Sequence, residues 1–532
     1  MTTYKFRKNA TIGNLDAEND SYLDECFLKS EMYDTLLKFD KQNNDFTRRI
    51  IVGRTGSGKT ALLKKLSNDQ SIKENAIIEA ESTVFEHIQN NIFISNLMNK
   101  GVNLRVFYKS LWIHVLLVKI IDLLYNHSGT KFYDQLSNYP SSKKKKYNIE
   151  LAREYVDKYR DNFFNDNIVS EITERMEKEL SGKLGILSSV GFGGNSTSES
   201  IETIQRETAT YVSSELLKKQ KELINLIKSE FNDEKLQIRI IISIDDLDKS
   251  WLSDTDVRYN FISSLLDAFK DLLDINSVKI LISIRTDILM GIYANNLRQE
   301  EKDRSLIIPI SWNETEIREI LDNRVNLLIR NLYSKQEIVK FADIFNFEVR
   351  GEKADSYIIK RTMLRPRDAI DFVNQCLSEG DGHTELNQEM VLKAEENYFS
   401  SRKKALVKEW VSLYPHIKEY IDCISYIENI EFTHDDVNQA VHNNIVNYLT
   451  QFNSRVDDER HTEIVFEFSE LIRVWFVIGI LGIKKHENLI IYANFDKPEL
   501  DITDMGNAFI IHPLFYRANS SKVKQKSLEA TA

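Results

Sequence analysis

Residues 50–60 read IIVGRTGSGKT, three glycines, a lysine and a threonine directly after an apolar run. Residues 53–60, GRTGSGKT, match the phosphate-loop (Walker A) pattern G-x-x-x-x-G-K-[ST] at every specified position. An apolar run leads in and ALLKKL (61–66) leads out, so the local pattern predicts strand, loop and helix. Each residue type has a physical role there. Gly53, Gly56 and Gly58 let the backbone curl, so that N–H groups along Thr55–Thr60 can point at phosphate oxygens. The following helix adds the positive end of its dipole. Lys59 can reach β and γ phosphates, and Thr60 can place its hydroxyl on Mg²⁺. The whole chain has only 18 glycines in 532 residues, and three of them lie in this loop.

Downstream, four further Ile- and Val-rich runs punctuate the first 311 residues: ENAIIEAES (74–82), QIRIIISID (237–245), VKILISIR (278–285) and SLIIPIS (305–311). Continuous apolar runs predict strands buried on both faces, hence a parallel sheet covered by helices. The run IIISIDDLDKSW (240–251) ends a buried strand in adjacent carboxylates, the pattern of a Walker B segment. Asp245 is the candidate for Mg²⁺, and Asp246 for the base or water-orienting group of hydrolysis. Asp248 and Lys249 read more simply as ion-pair residues. Arg285, at the end of KILISIR, is either a γ-phosphate sensor or a salt-bridge residue. In LRPRDAIDF (364–372), Arg365 or Arg367 stands where a lid would place a cation over the nucleotide, with Arg367 favoured.

About 150 residues separate the second and third runs, and their periodicity is helical, as in KELINLIKSEF (221–231). The Gly/Ser cluster at 181–200 and the lysine run KKKK (143–146) read as solvated loops. After residue 312 helices take over. A helix ends near Gly482, and LIIYANF (489–495) reads as one hairpin strand whose return is NAFIIHPLF (507–515), suggesting a winged-helix module. The domain reading is a helical lead-in at 1–45 and a nucleotide core at 46–312 with an insertion at about 85–230. A helical lid at 313–400 and a helical, winged-helix-like region at 401–532 follow.

The net charge of −11 gives no general attraction to nucleic acid, although basic patches occur at Lys484, Lys485 and 521–526. Three separated cysteines (Cys26, Cys376, Cys423) form no metal spacing or disulfide framework, which fits a reducing cytoplasm. The N-terminus lacks an apolar core of signal-peptide type, and LWIHVLLVKIIDLLY (111–125) is too short and too charged to span a bilayer. It reads as a buried helix, and no membrane association is expected.

Taken in order, GRTGSGKT, IIISIDDLD, KILISIR and RPRD resemble the AAA+/STAND and KAP-type P-loop ATPases. Within these, the closest likeness is to a group of bacterial ATPases with a similar opening, here ATIGNLDAENDSYLDECF (10–27), and a similar C-terminal end, here WFVIGILG (475–482) and FIIHPLF (509–515). The resemblance implies an α/β core of additional-strand type, with an extra strand between the loop strand and the acidic strand. It carries Lys59, Thr60, Asp245 and Asp246 onto the family's ATP and Mg²⁺ site, and more loosely Arg285 and Arg367. Where the AAA+ acidic pair ordinarily ends in Glu, this chain has Asp246. The function implied is an ATP-driven regulatory switch in bacterial antiphage defence, acting with a separate effector or as a homo-oligomer. The C-terminal ribbon and the basic patches at Lys484, Lys485 and 521–526 offer the alternative of a DNA-associated AAA+ initiator-type ATPase. A third reading from the residues is a scaffold that binds ATP and scarcely turns it over.

Overall fold

The computed structural model describes residues 5–39, 47–80, 88, 91–125, 143–159, 168–184, 198–231, 239–245, 247, 255–295, 297–333, 338–453, 464–486 and 489–516. The chain forms two compact units, one of Lys29–Gly53 and Leu62–Ile308, the other of Met1–Leu28, Arg54–Ala61 and Pro309–Ala532.

The first unit is built on a sheet of order β2-β3-β4-β1-β5, formed by β1 (Ile50–Gly53), β2 (Glu74–Glu79), β3 (Ile240–Asp245), β4 (Val278–Arg285) and β5 (Ile307–Pro309). β1 pairs in parallel with β4, β4 with β3, and β3 with β2. The extra strand between the loop strand and the acidic strand is therefore β4. Every residue of β1 and β3 is buried, as continuous apolar runs require of strands covered on both faces. β2 departs from that expectation. It lies at the sheet edge, only Ile78 is buried, and Ile77 is 51% exposed. Arg49, just before β1, is fully buried, its guanidinium donating to the carbonyls of Val278 and Leu273.

Between β2 and β3 the described residues are helical, including Arg105–Leu124, Lys143–Lys158, Ile168–Leu184, Ser198–Tyr211 and Lys218–Phe231. Helix Arg105–Leu124 contains the apolar run at 111–124 and buries it. Its apolar surface is interrupted by a polar cluster. His114 shares a hydrogen bond with the Tyr155 hydroxyl, which also accepts from Gln220 Nε2 at 2.7 Å. Gln220 Nε2 donates in turn to the Ser110 carbonyl at 2.9 Å. Burial drives the His114 pKa down to about 3. The lysine run 143–146 opens a helix instead of lying in a loop, in keeping with the good helix propensity of lysine. Most of the Gly/Ser cluster, residues 185–197, lies outside the described residues.

In the second unit the main helices are Glu314–Tyr333, Pro366–Glu379 and Gln388–Trp410, with the short helices Phe341–Ile344 and Ala354–Lys360 between the first two. Pro366 takes the first-turn position where its missing N–H costs nothing. The N-terminal stretch is tied to these helices. Asp20 accepts from Arg324 Nη2 at 2.6 Å, Arg324 Nη1 donates to the Ile12 carbonyl, and Asn374 bonds both Ile12 and Gly13. After the two-residue strands β6 (Glu348–Val349) and β7 (Glu352–Lys353), a four-stranded sheet of order β10-β9-β11-β8 closes the chain. Its strands are β8 (Glu431–Phe432), β9 (Leu481–His486), β10 (Leu489–Tyr492) and β11 (Ala508–Ile511).

Two sequence expectations fail here. Helix Phe468–Val477 stops before Gly479, and Gly482 lies inside β9. Gly479 adopts φ +85°, its N–H bonds the Phe476 carbonyl, and the Ile480 N–H bonds that of Trp475. This is a Schellman ending, so the first of the two glycines terminates the helix. The hairpin partner of β10 is therefore β9; β11 pairs with the other edge of β9 and with β8. Gly482 lets the ribbon close, since a Cβ there would sit 2.4 Å from Ile490 Cγ2.

Candidate phosphate site

β1 ends at Gly53, the loop follows, and a helix begins at Lys59 (Lys59–Ser67), so the strand–loop–helix order matches the reading of the motif. Gly56 and Gly58 have φ +80° and +96°, the left-handed region that side chains resist. Lys59 Nζ folds back to donate to the Arg54 carbonyl at 3.2 Å, placing the ammonium over its own loop. Thr55 Oγ1 and Ser57 Oγ are buried without a hydrogen-bond partner among the described residues. The N–H groups of Gly56 and Gly58 donate to nothing among the described residues. Uncommitted donors on a glycine-bent loop, with a lysine beside them, suit a polyphosphate.

The loop is held from outside by helices of its own unit. Glu409, in helix Gln388–Trp410, accepts the Thr55 N–H at 3.2 Å. Arg365 Nη1 donates to the Thr55 carbonyl at 3.1 Å and to Glu409 Oε2 at 3.2 Å. Arg402 bonds the same Oε2 at 3.2 Å and Asp368 Oδ1 at 2.9 Å. Burial raises the Asp368 pKa, outweighing the opposing pull of Arg402 and Arg365. Arg54, at an unspecified position of the motif, packs 5.3 Å from the Trp410 ring and donates to the Ile478 carbonyl at 2.6 Å, capping the helix that Gly479 ends. The Arg367 N–H donates to the Gly56 carbonyl at 3.2 Å, its Nε donates to the Leu15 carbonyl, and its side chain is exposed. Trp312 Nε1 donates to the Ser57 carbonyl at 2.8 Å.

Both candidate lid arginines thus touch the loop, Arg365 through its guanidinium and Arg367 through its backbone. Trp312, Glu409 and Arg402 lie in no motif that sequence reading could use, and Arg54 stands at a position the phosphate-loop motif leaves open. Glu409 in particular lies in the highly charged helix Gln388–Trp410, yet it is 2% exposed.

Within the sheet unit, the carboxyl ends of β1, β4 and β3 share one edge, Gly53 pairing with Arg285 and Glu79 with Asp245. Ligands of open parallel sheets bind at such edges. Asp245 is buried, and the Arg285 fork makes two bonds to Asp287, at 2.8 and 2.6 Å. Asp246, Asp248 and Lys249 lie outside the described residues. Among the described residues no group of three or more His, Cys, Asp or Glu side chains is placed to hold a metal, and no helix is long and apolar enough to cross a membrane. The three cysteines are buried and unbridged.

Comparison with known proteins agrees with this geometry. Residues 49–307 match the KAP family P-loop domain. The chain carries a P-loop NTPase core. Residues 315–407 match the FunZ-associated C-terminal helical domain, a span that includes Arg365 and Arg402 and ends two residues before Glu409. A solved structure of the Aeropyrum pernix ORC2 protein, in ADPNP and ADP complexes, aligns with 96% of this chain and 98% of its own. At 11% identity and a TM-score of 0.38, that likeness is too loose to bear on function. No curated protein matches the sequence.

Proposed function

We propose that the protein is a Mg²⁺-dependent ATPase that works as a regulatory switch, with nucleotide state read out by its C-terminal helices. One observation supports this reading above the others: the phosphate loop is bonded to helix Gln388–Trp410 through Glu409, and to the residues that lead into helices Pro366–Glu379 and Glu314–Tyr333 through Arg365 and Trp312. A loop so connected cannot rearrange around phosphate without disturbing the helices that hold it. In this reading Lys59 meets the β and γ phosphates, while Thr60 and Asp245 hold Mg²⁺, which neutralises phosphate charge. Asp246 orients the attacking water, and Arg285 and Arg367 respond to the γ-phosphate. The domain scheme is the one proposed from sequence, with residues 401–532 as a winged-helix-like module. Helix Ile417–Asp422, strand β8, helices Gln439–Asn453 and Phe468–Val477, and then β9 to β11 follow in that order, with all four strands in one antiparallel sheet, and this arrangement supports that assignment.

The context we favour, antiphage defence with a separate effector in the bacterial cytoplasm, comes from the family resemblance of the motifs. The initiator-type alternative needs a basic surface on the C-terminal module. Lys484 is already paired with Glu431 at 2.6 Å and Lys485 with Asp504 at 3.7 Å, which weakens it. Steady-state and single-turnover hydrolysis test the proposal. Lys59→Ala is expected to lose ATP binding, and Asp246→Asn to bind ATP yet hydrolyse it at least about tenfold more slowly. Wild-type turnover by Asp246→Asn would remove that residue from the chemistry, and absence of any turnover by the wild type would leave a nucleotide-locked scaffold.

A further inference from the structure

We propose that Trp312, Arg365 and Glu409 are positioning residues that set the direction of the phosphate loop's peptide groups, so that N–H donors and not carbonyls face a bound phosphate. The inference rests on the nucleotide-binding reading above, which uses these three residues only as links to the C-terminal helices and gives them no part in phosphate binding. Three successive loop carbonyls are each taken by a donor from the C-terminal helical unit. That of Thr55 accepts from Arg365 at 3.1 Å, that of Gly56 from the Arg367 N–H at 3.2 Å, and that of Ser57 from Trp312 Nε1 at 2.8 Å.

A trans peptide is planar, with its C=O and the next residue's N–H pointing in opposite directions. Holding the carbonyls of residues 55, 56 and 57 outward therefore turns the N–H groups of 56, 57 and 58 the other way. The Ser57 N–H closes a turn on the Arg54 carbonyl at 3.2 Å, while those of Gly56 and Gly58 stay uncommitted. The anchors are needed because of the glycines. At Gly56 and Gly58 a peptide flip meets little steric resistance, and a flipped unit would offer phosphate a carbonyl oxygen.

Glu409 secures the first of these anchors. Its carboxylate accepts the Thr55 N–H with one oxygen and holds Arg365 and Arg402 with the other, at a side-chain exposure of 1%. Arg365 cannot swing away from the Thr55 carbonyl without leaving a buried charge pair. Trp312 contributes one hydrogen bond and a ring that packs beside Gly58, the nearest ring atom lying 3.8 Å from where a Cβ would stand.

Trp312→Phe is the sharpest test, since it removes the Nε1 donor and keeps an aromatic ring. Calorimetric titration of the full chain with ATP and with ADP gives dissociation constants, steady-state hydrolysis gives KM and kcat, and melting without nucleotide gives stability. Losing one neutral hydrogen bond predicts Kd values for ATP and ADP raised alike, by about three- to tenfold. KM should follow Kd, with kcat and the melting temperature close to wild type. Arg365→Lys, which keeps the charge and loses the fork, should act in the same direction. If Lys59→Ala abolishes binding but both anchor variants bind like wild type, the positioning role is wrong and the nucleotide reading stands. A lower melting temperature at unchanged Kd makes Trp312 a packing residue and likewise overturns the proposal. A wild-type protein that binds neither nucleotide refutes the underlying reading, and this inference falls with it.

Discussion

Replacing Glu409 by Gln changes one oxygen to NH₂ in a side chain that is almost completely buried, and the structure sets the size of the effect. The carboxylate faces three guanidinium groups, with Arg365 and Arg402 at 3.2 Å and Arg54 at 3.6 Å. With Asp368, the cluster holds three formal positive charges and two negative ones. Glutamine can still accept the Thr55 N–H through its oxygen, but its NH₂ would then point donors at the donors of Arg365 and Arg402. Breaking a buried charge pair in this way costs about 3–5 kcal/mol. For a unit of this size that corresponds to a melting temperature lower by roughly 6–20 °C. Thermal unfolding at a single scan rate measures it. A second variant, Arg402→Met, removes one of the charges that Glu409 balances. In the Glu409→Gln background it should cost less than it does alone, giving a coupling of about 1–3 kcal/mol. Two outcomes would refute the reasoning: a Glu409→Gln melting point matching wild type, or costs for the two substitutions that simply add.

Gly479→Ala introduces a Cβ at φ +85° and 2.6 Å from Arg54 Nη1, so it should destabilise by at least about 1–2 kcal/mol; a variant as stable as wild type would mean the helix end had moved without cost. His114 is predicted to make stability fall with acid. Its native pKa of about 3 lies below the ordinary 6.5, so the unfolded chain binds the extra proton. The stabilisation is complete above pH 6.5 and declines as pH falls from there toward 3, by about 1.4 kcal/mol per unit. Melting curves at several pH values check this, and His114→Gln should have a shallower slope than wild type. His512, depressed to about 3 by burial and by Arg361, Arg365 and Arg54, adds a second contribution of the same sign.

The loop, the acidic strand and the parallel sheet were legible in the sequence because each is specified locally. GRTGSGKT needs glycines at fixed offsets, and strands covered on both faces need unbroken apolar runs such as IIISID. The same local logic misled at the sheet edge, since ENAIIE reads like β3 but has a neighbour on one side only. It also misled at IGILGI, where two glycines offered a helix stop and only conformation shows that Gly479 is the one used.

What the sequence determined by itself was the chemistry available at the loop: glycines, Lys59 and Thr60 in the order a phosphate cradle requires. Tertiary structure decided what holds that cradle in shape. Arg54, Trp312, Arg365 and Glu409 are separated by up to 355 positions, and no period or motif links them. They meet because folding brings helix Gln388–Trp410 and the Pro366 helix against the loop, where a buried carboxylate must find its guanidinium partners. Sequence spacing cannot encode that meeting, because charge pairing inside a protein depends on burial, and burial is a property of the folded whole.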